Sequence, residues 1–206
     1  MNRFNARLTL ALSTVALSLA AGSVNAATLL ALGSDGQLFK IDSSSLKVTG
    51  KMAAQSPVAL RGFDIRPVNG QLYALGSDNQ LYTLDLASGA AKVAAKLNTS
   101  LPGAGQAVVD FNPVADRLRL QGPDGTSLRV NVETGEVAVD GKVAYAADGP
   151  YAGKTAKVVA GAYSNAYAGT KATALYNIDL ATANLLLQRL GGTAAFRIIS
   201  AKRSKA

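Results

Sequence analysis

Two aspartates hold matching places in two similar segments, Gly62-Phe63-Asp64-Ile65-Arg66-Pro67 and Val109-Asp110-Phe111-Asn112-Pro113. Carboxylates that converge can bind a cation or act as an acid–base pair. The same residues, each just ahead of an x-Pro corner, can instead accept backbone hydrogen bonds and lock a strand in place. Arg66 and Asn112 each follow their aspartate by two residues. Asp64, Arg66, Asp110 and Asn112 are therefore the candidate ligand-binding residues, and no catalytic set is assigned. A related segment further on carries Ala162 at the aspartate's place, so a ring of carboxylates would be incomplete. Arg61, Arg66, Arg117 and Arg119 fall in the same two segments. Their fixed forks of donors suit either an anionic ligand or pairing with Asp64, Asp110 and Asp116.

Other chemistry is closed off by composition. The 206 residues include no cysteine and no histidine. A thiol nucleophile, a thiolate metal site, a Ser-His-Asp arrangement and any imidazole ligand or base are excluded. Asp35-Gly36, Asp78-Asn79 and Asp124-Gly125 lack the run of oxygen ligands at fixed offsets that a calcium loop needs, and read as hairpin turns. Gly33-Ser34-Asp35-Gly36 is not a phosphate loop, because no Gly-Lys-Ser/Thr follows. No cofactor is expected, with Ca²⁺ on oxygen ligands the one ion the acids could hold. Tyr145, Tyr151, Tyr163 and Tyr167 lie in or beside a long loop, where they suit a ligand platform or simple packing equally.

These residues are positioned by a repeat. Leu72-Tyr73-Ala74-Leu75-Gly76-Ser77-Asp78-Asn79-Gln80-Leu81 is echoed by Leu30-Ala31-Leu32-Gly33-Ser34-Asp35-Gly36-Gln37-Leu38. It is echoed again by Leu118-Arg119-Leu120-Gln121-Gly122-Pro123-Asp124-Gly125, and more weakly from Ala174 to Thr182. Asp42, Asp85, Asn131 and Asp179 line up at gaps of 43, 46 and 48 residues. Short β-branched and aromatic runs, broken by Gly, Asn, Asp and Ser, predict strands joined by tight turns. Several strands per unit of 40–50 residues predict an all-β, propeller-like fold of four blade-like repeats. The first repeat lacks an opening strand and supplies three. Ala144 to Lys157 is predicted as an extended loop.

The segments Gly62-Phe63-Asp64-Ile65-Arg66-Pro67, Gly70-Gln71-Leu72-Tyr73-Ala74-Leu75, Val109-Asp110-Phe111-Asn112-Pro113 and Asp116-Arg117-Leu118-Arg119 together resemble the bacterial domain of unknown function 4394. The resemblance covers about residues 28 to 190 and implies an exported, propeller-like β protein. It implies no activity.

Arg3 and Arg7, the apolar stretch Leu8 to Ala21 and the small-x-Ala sequence Val24-Asn25-Ala26 have the layout of a secretory leader, with cleavage near Ala26. Residues 1–26 are thus expected to be removed, and the mature chain to be secreted or periplasmic. No transmembrane span is expected in the mature chain. Formal net charge is +8, but the leader and the last ten residues carry six of those charges, leaving +2 on residues 27 to 196. No basic stripe with interleaved aromatics marks a nucleic-acid partner. Residues 27–192 form the expected repeat domain. Residues 193–206 are either a closing strand, with Ala194 to Ser200 pairing with the first repeat, or a diverged basic tail. The function expected is a binding or interaction module for a small molecule or protein. A metal-dependent propeller hydrolase or lactonase and a structural envelope protein are the alternatives.

Overall fold

The computed structural model describes residues 27–189 and the backbone of 195–199. The expected leader lies outside the described residues, as does most of the segment from 193 onward. No helix occurs among the described residues; the chain is all-β. The first sheet holds β1 (Thr28–Leu32), β2 (Gln37–Asp42) and β3 (Val48–Ala53). The second holds β4 (Leu60–Ile65), β5 (Leu72–Gly76), β6 (Gln80–Leu84) and β7 (Ala91–Lys96). The third holds β8 (Val108–Asn112), β9 (Arg117–Gln121), β10 (Thr126–Val130) and β11 (Val137–Lys142). Each is a simple antiparallel meander in chain order. The fourth holds β12 (Ala144–Tyr145), β13 (Val158–Tyr163), β14 (Leu175–Asp179), β15 (Asn184–Gln188) and β16 (Ala195–Ile199), in the order β12-β16-β15-β14-β13.

Two expectations change here. Ala195–Ile199 pairs antiparallel with β15 and parallel with β12, in the fourth sheet. It does not pair with the first sheet. The preceding Asn184–Gln188 strand is the nearest partner in sequence, and an antiparallel return to it closes a far shorter loop than a return to β1 would. The loop expected over Ala144 to Lys157 also gives up its first residues to β12, because β16 offers them a ladder.

The turns are built alike. Asp42 Oδ1 accepts from the backbone N–H of Ser44 and Ser45 (3.1 and 2.7 Å), and Asp85 Oδ1 accepts from Ala87 and Ser88 (3.0 and 2.7 Å). Asn131 Oδ1 accepts from Glu133 (3.0 Å), and Asp179 from Ala181 and Thr182 (3.2 and 3.1 Å). An Asx side chain that satisfies the turn's own amides explains why these four positions line up. The hairpins at Asp35, Asp78 and Asp124 also share a plan, each carboxylate accepting from the N–H two residues on.

Neighbouring sheets share cores. Leu38 of the first sheet packs with Leu72, Ala74 and Leu84 of the second. Tyr73, Leu75 and Leu81 pack with Phe111, Leu118, Leu120 and Val130 of the third. In the second and third sheets the turn after the third strand also docks on the sheet before it. Gly89 O accepts from Gln55 N (2.8 Å), and Gly135 O accepts from Asn98 N (3.1 Å). Both glycines sit at positive φ, 79° and 75°. A β-carbon on Gly135 would lie 2.0 Å from Lys96 O, and one on Gly89 2.3 Å from Ala53 O. Gly135→Ala should therefore cost about 1–2 kcal/mol for the left-handed backbone alone, and more because the Lys96 carbonyl must move. Urea unfolding checks this, and an unchanged midpoint would contradict the docking.

Candidate functional site

Strands β4, β8 and β13 are each an edge strand of their sheet, and they lie side by side across sheet boundaries. Asp64 Oδ2 on β4 accepts from the backbone N–H of Phe111 on β8 at 2.7 Å. Asp110 Oδ1 on β8 accepts from the backbone N–H of Tyr163 on β13 at 2.8 Å. The two aspartates thus do the same work at successive boundaries, as the strand-locking reading expects. Both are half-buried. Burial raises the Asp64 carboxyl above the usual aspartate range against the pull of its backbone hydrogen bonds. Burial, together with the nearby Asp64 charge, pushes Asp110 up to about 8.

Arg66 and Asn112 have different surroundings. Arg66 is buried, and its fork grips both oxygens of Asp116, Nε to Oδ1 at 2.9 Å and Nη2 to Oδ2 at 2.6 Å, while Nη1 reaches Glu133 Oε1 at 2.6 Å. This bidentate pairing raises Arg66 above, and lowers Asp116 below, its ordinary pKa. Asn112 Oδ1 accepts from Val114 and Ala115 N–H, both at 3.0 Å, and shapes the turn into β9. So the structure couples Asp64 with Asp110, and gives Arg66 and Asn112 partners of their own. Of the remaining arginines, Arg119 is buried and binds Tyr163 Oη at 3.2 Å, Ser127 Oγ at 3.0 Å and the carboxylate of Asp140. Arg117 donates to the Asp116 carbonyl at 2.9 Å. The Tyr145 hydroxyl donates to Asp179, and burial with that bond raises it to about 12. Tyr145 stacks on Tyr151 at 5.5 Å, Tyr163 is buried, and Tyr167 stays exposed. The tyrosines therefore do not form one platform. Among the described residues no group of three or more Asp or Glu side chains stands together as a metal-binding cluster.

A concave space lies elsewhere, and residues of all four sheets wall it. A cleft of about 520 Å³ is bounded by Leu30 to Ser34 with β1, Leu60 to Phe63 on β4, Gly105 to Val109 leading into β8, and Val159 to Gly161 on β13. Its walls are small: glycine, alanine and serine dominate, so backbone is within reach of an occupant. Arg61 is the only ionisable side chain on its wall, and it is 4 % exposed. Its Nε, Nη1 and Nη2 donate to the carbonyls of Gly105, Leu101 and Pro102 at 3.0, 2.9 and 3.2 Å. These bonds pin the loop entering β8 against β4. A second depression of about 330 Å³, beside Asn69, Thr83, Asp85 and Lys92, belongs to the second sheet alone.

The sequence carried one signal for this cleft that motif reasoning passed over. Small residues gather at Ala31-Leu32-Gly33-Ser34, Gly103-Ala104-Gly105 and Ala160-Gly161-Ala162. Each run lies beside or within a strand that would otherwise take bulky side chains.

No curated protein matches the chain. The profile described as a domain of unknown function, DUF4394, matches residues 37–196, well over half of the sequence, and takes in β2 to β15, with β4, β8 and β13 of the cleft wall but not β1. The chain therefore belongs to the DUF4394 family.

Proposed function

We propose that this protein is an exported binding module of propeller-like form, with its four sheets as blades and its ligand held in the cleft between them. The observation that carries the reading is the cleft itself, a space to which all four sheets contribute. Its volume falls within the range of ligand sites, about 300–1,000 Å³. The neighbouring cores and the two aspartate ties run from sheet to sheet in chain order, as blades around an axis would. The leader-like residues 1–26, with cleavage near Ala26, support a secreted or periplasmic setting. An uncharged or anionic occupant of modest size suits walls whose only formal charge is Arg61.

The test is a ligand screen on the chain from Ala27, followed by thermal shift and amide chemical shifts. Ala160 is exposed and lines the cleft, so Ala160→Trp fills the space without disturbing a core. Hits should lose at least about tenfold in affinity in Ala160→Trp, a loss of one well-buried contact or more. They should be indifferent to Val139→Trp on the exposed face of β11, where Val139 is 61 % accessible. Hits that bind both variants like the parent chain would overturn the reading.

A further inference from the structure

We infer that the cleft receives an extended peptide segment of a partner protein, which adds as a fourth strand to the free edge of β1. This rests on the cleft being the binding site. The first sheet has three strands where the second and third have four, and its missing strand is the inner one. The strands next in from β5, β9 and β14 are β4, β8 and β13. Among the described strands β1 pairs with β2 alone, and its other edge opens onto the cleft.

The backbone on that edge is available in a defined pattern. Ala27 O accepts from Ser43 N at 2.9 Å, and Gly33 N donates to Gln37 O at 2.8 Å. Odd-numbered residues of this stretch therefore point their N–H and C=O at β2. In an antiparallel ladder the alternate residues point the other way. Thr28, Leu30 and Leu32 thus present their backbone groups to the cleft.

Among the described residues nothing guards this edge. The outer edge strands carry charge: Lys51 on β3, Lys92 and Lys96 on β7, Asp140 and Lys142 on β11. Such charges keep other strands from pairing. β1 reads Thr-Leu-Leu-Ala-Leu, with no charge, no proline and no bulge. An edge left bare inside a cleft is a site for strand addition.

The other three sheets show what the occupant is made of. Leu60-Arg61-Gly62-Phe63-Asp64-Ile65, Val108-Val109-Asp110-Phe111-Asn112 and Val158-Val159-Ala160-Gly161-Ala162-Tyr163 fill the equivalent places. The occupant is five or six extended residues, small and β-branched, running antiparallel to β1. It also carries one carboxylate. Asp64 ties to the residue after Asp110, and Asp110 to the residue after Ala162. By the same offset, an acid on the incoming strand comes to the backbone N–H of Ile65, the residue after Asp64, and shares that donor with the Asp64 carboxylate.

The test uses the chain from Ala27 and a capped peptide with the sequence of residues 107–113, Ala-Val-Val-Asp-Phe-Asn-Pro, followed by amide hydrogen exchange. Bound peptide should slow exchange at Thr28, Leu30 and Leu32 by about tenfold or more, the weight of one net hydrogen bond each. Leu29 and Ala31, already bonded to β2, should not change. Of two peptides N-methylated on alternate amides, one should bind and the other should not. Replacing the peptide's aspartate by alanine should weaken binding by about tenfold. If the peptide binds and Ala160→Trp blocks it, yet those three amides are unaffected, strand addition is wrong and the cleft reading survives. If binding ignores Ala160→Trp, both fail. No binding at millimolar peptide overturns strand addition, and so does self-association of the free chain that protects the same amides, which would make the occupant a second copy.

Discussion

Phe111→Ala is expected to lower stability by about 3–5 kcal/mol, the cost of emptying a large buried aromatic site. Phe111 is 0 % exposed, and its ring meets Tyr73 edge-on at 5.6 Å. It lies in the core that joins the second and third sheets, beside Leu118, Leu120 and Val130. Its backbone N–H also donates to Asp64 Oδ2. Loss of the ring therefore loosens the boundary through which β4 and β8 are held against each other. Urea unfolding measures the change. A loss below about 1 kcal/mol, the scale of an ordinary surface substitution or less, would mean that the two sheets do not share this core.

Stability should fall as pH rises from about 5 to 9, and Asp110→Asn should flatten that fall. Asp110 titrates near 8 in the folded chain, against about 4 for an aspartate in the unfolded one. Between those values the folded state holds a proton that the unfolded state does not. The stability linked to Asp110 is thus fully present below about pH 4 and is lost as pH rises through 8. Asp64 is shifted in the same direction and adds to the trend. Asp85, Asp116 and Asp179 are shifted down by their hydrogen bonds. Their contribution is complete above about pH 4 and so does not shape this window. An asparagine at 110 still offers an oxygen to Tyr163 N–H while carrying no charge. Thermal midpoints at pH 5, 7 and 9 compare the two chains. Parallel curves would show that Asp110 ionises freely and is not held by burial beside Asp64.

Turns and strands were the most legible part of the fold. Gly76-Ser77-Asp78-Asn79 and Asp85-Leu86-Ala87-Ser88-Gly89 declare their geometry locally, because Asx side chains satisfy the amides next to them. The strand-locking role of Asp64 and Asp110 was legible as one of two readings. What the sequence did not show is that each tie crosses to the next sheet, since the donors, Phe111 and Tyr163, lie 47 and 53 residues away. The partners of the arginines were partly legible: Arg66 does hold Asp116, but Arg119 turns to Asp140 and Arg61 to three carbonyls. Which partner an arginine finds depends on how the sheets stack, and spacing along the chain does not carry that. The pairing of Ala195–Ile199 with β15 and β12 was missed for the same reason. The cleft left the faintest trace, because its walls are small residues with no chemistry of their own.

The central claim is that the four sheets share a cleft bordered by an open edge of β1. Amide hydrogen exchange on the free chain from Ala27 tests it most directly. The account predicts alternation along β1, with Leu29 and Ala31 protected by β2 and Leu30 and Leu32 exchanging at least about tenfold faster for want of a partner. Uniform protection from Leu29 to Leu32 would mean that the edge is already paired, and would contradict both the cleft and what it is proposed to hold.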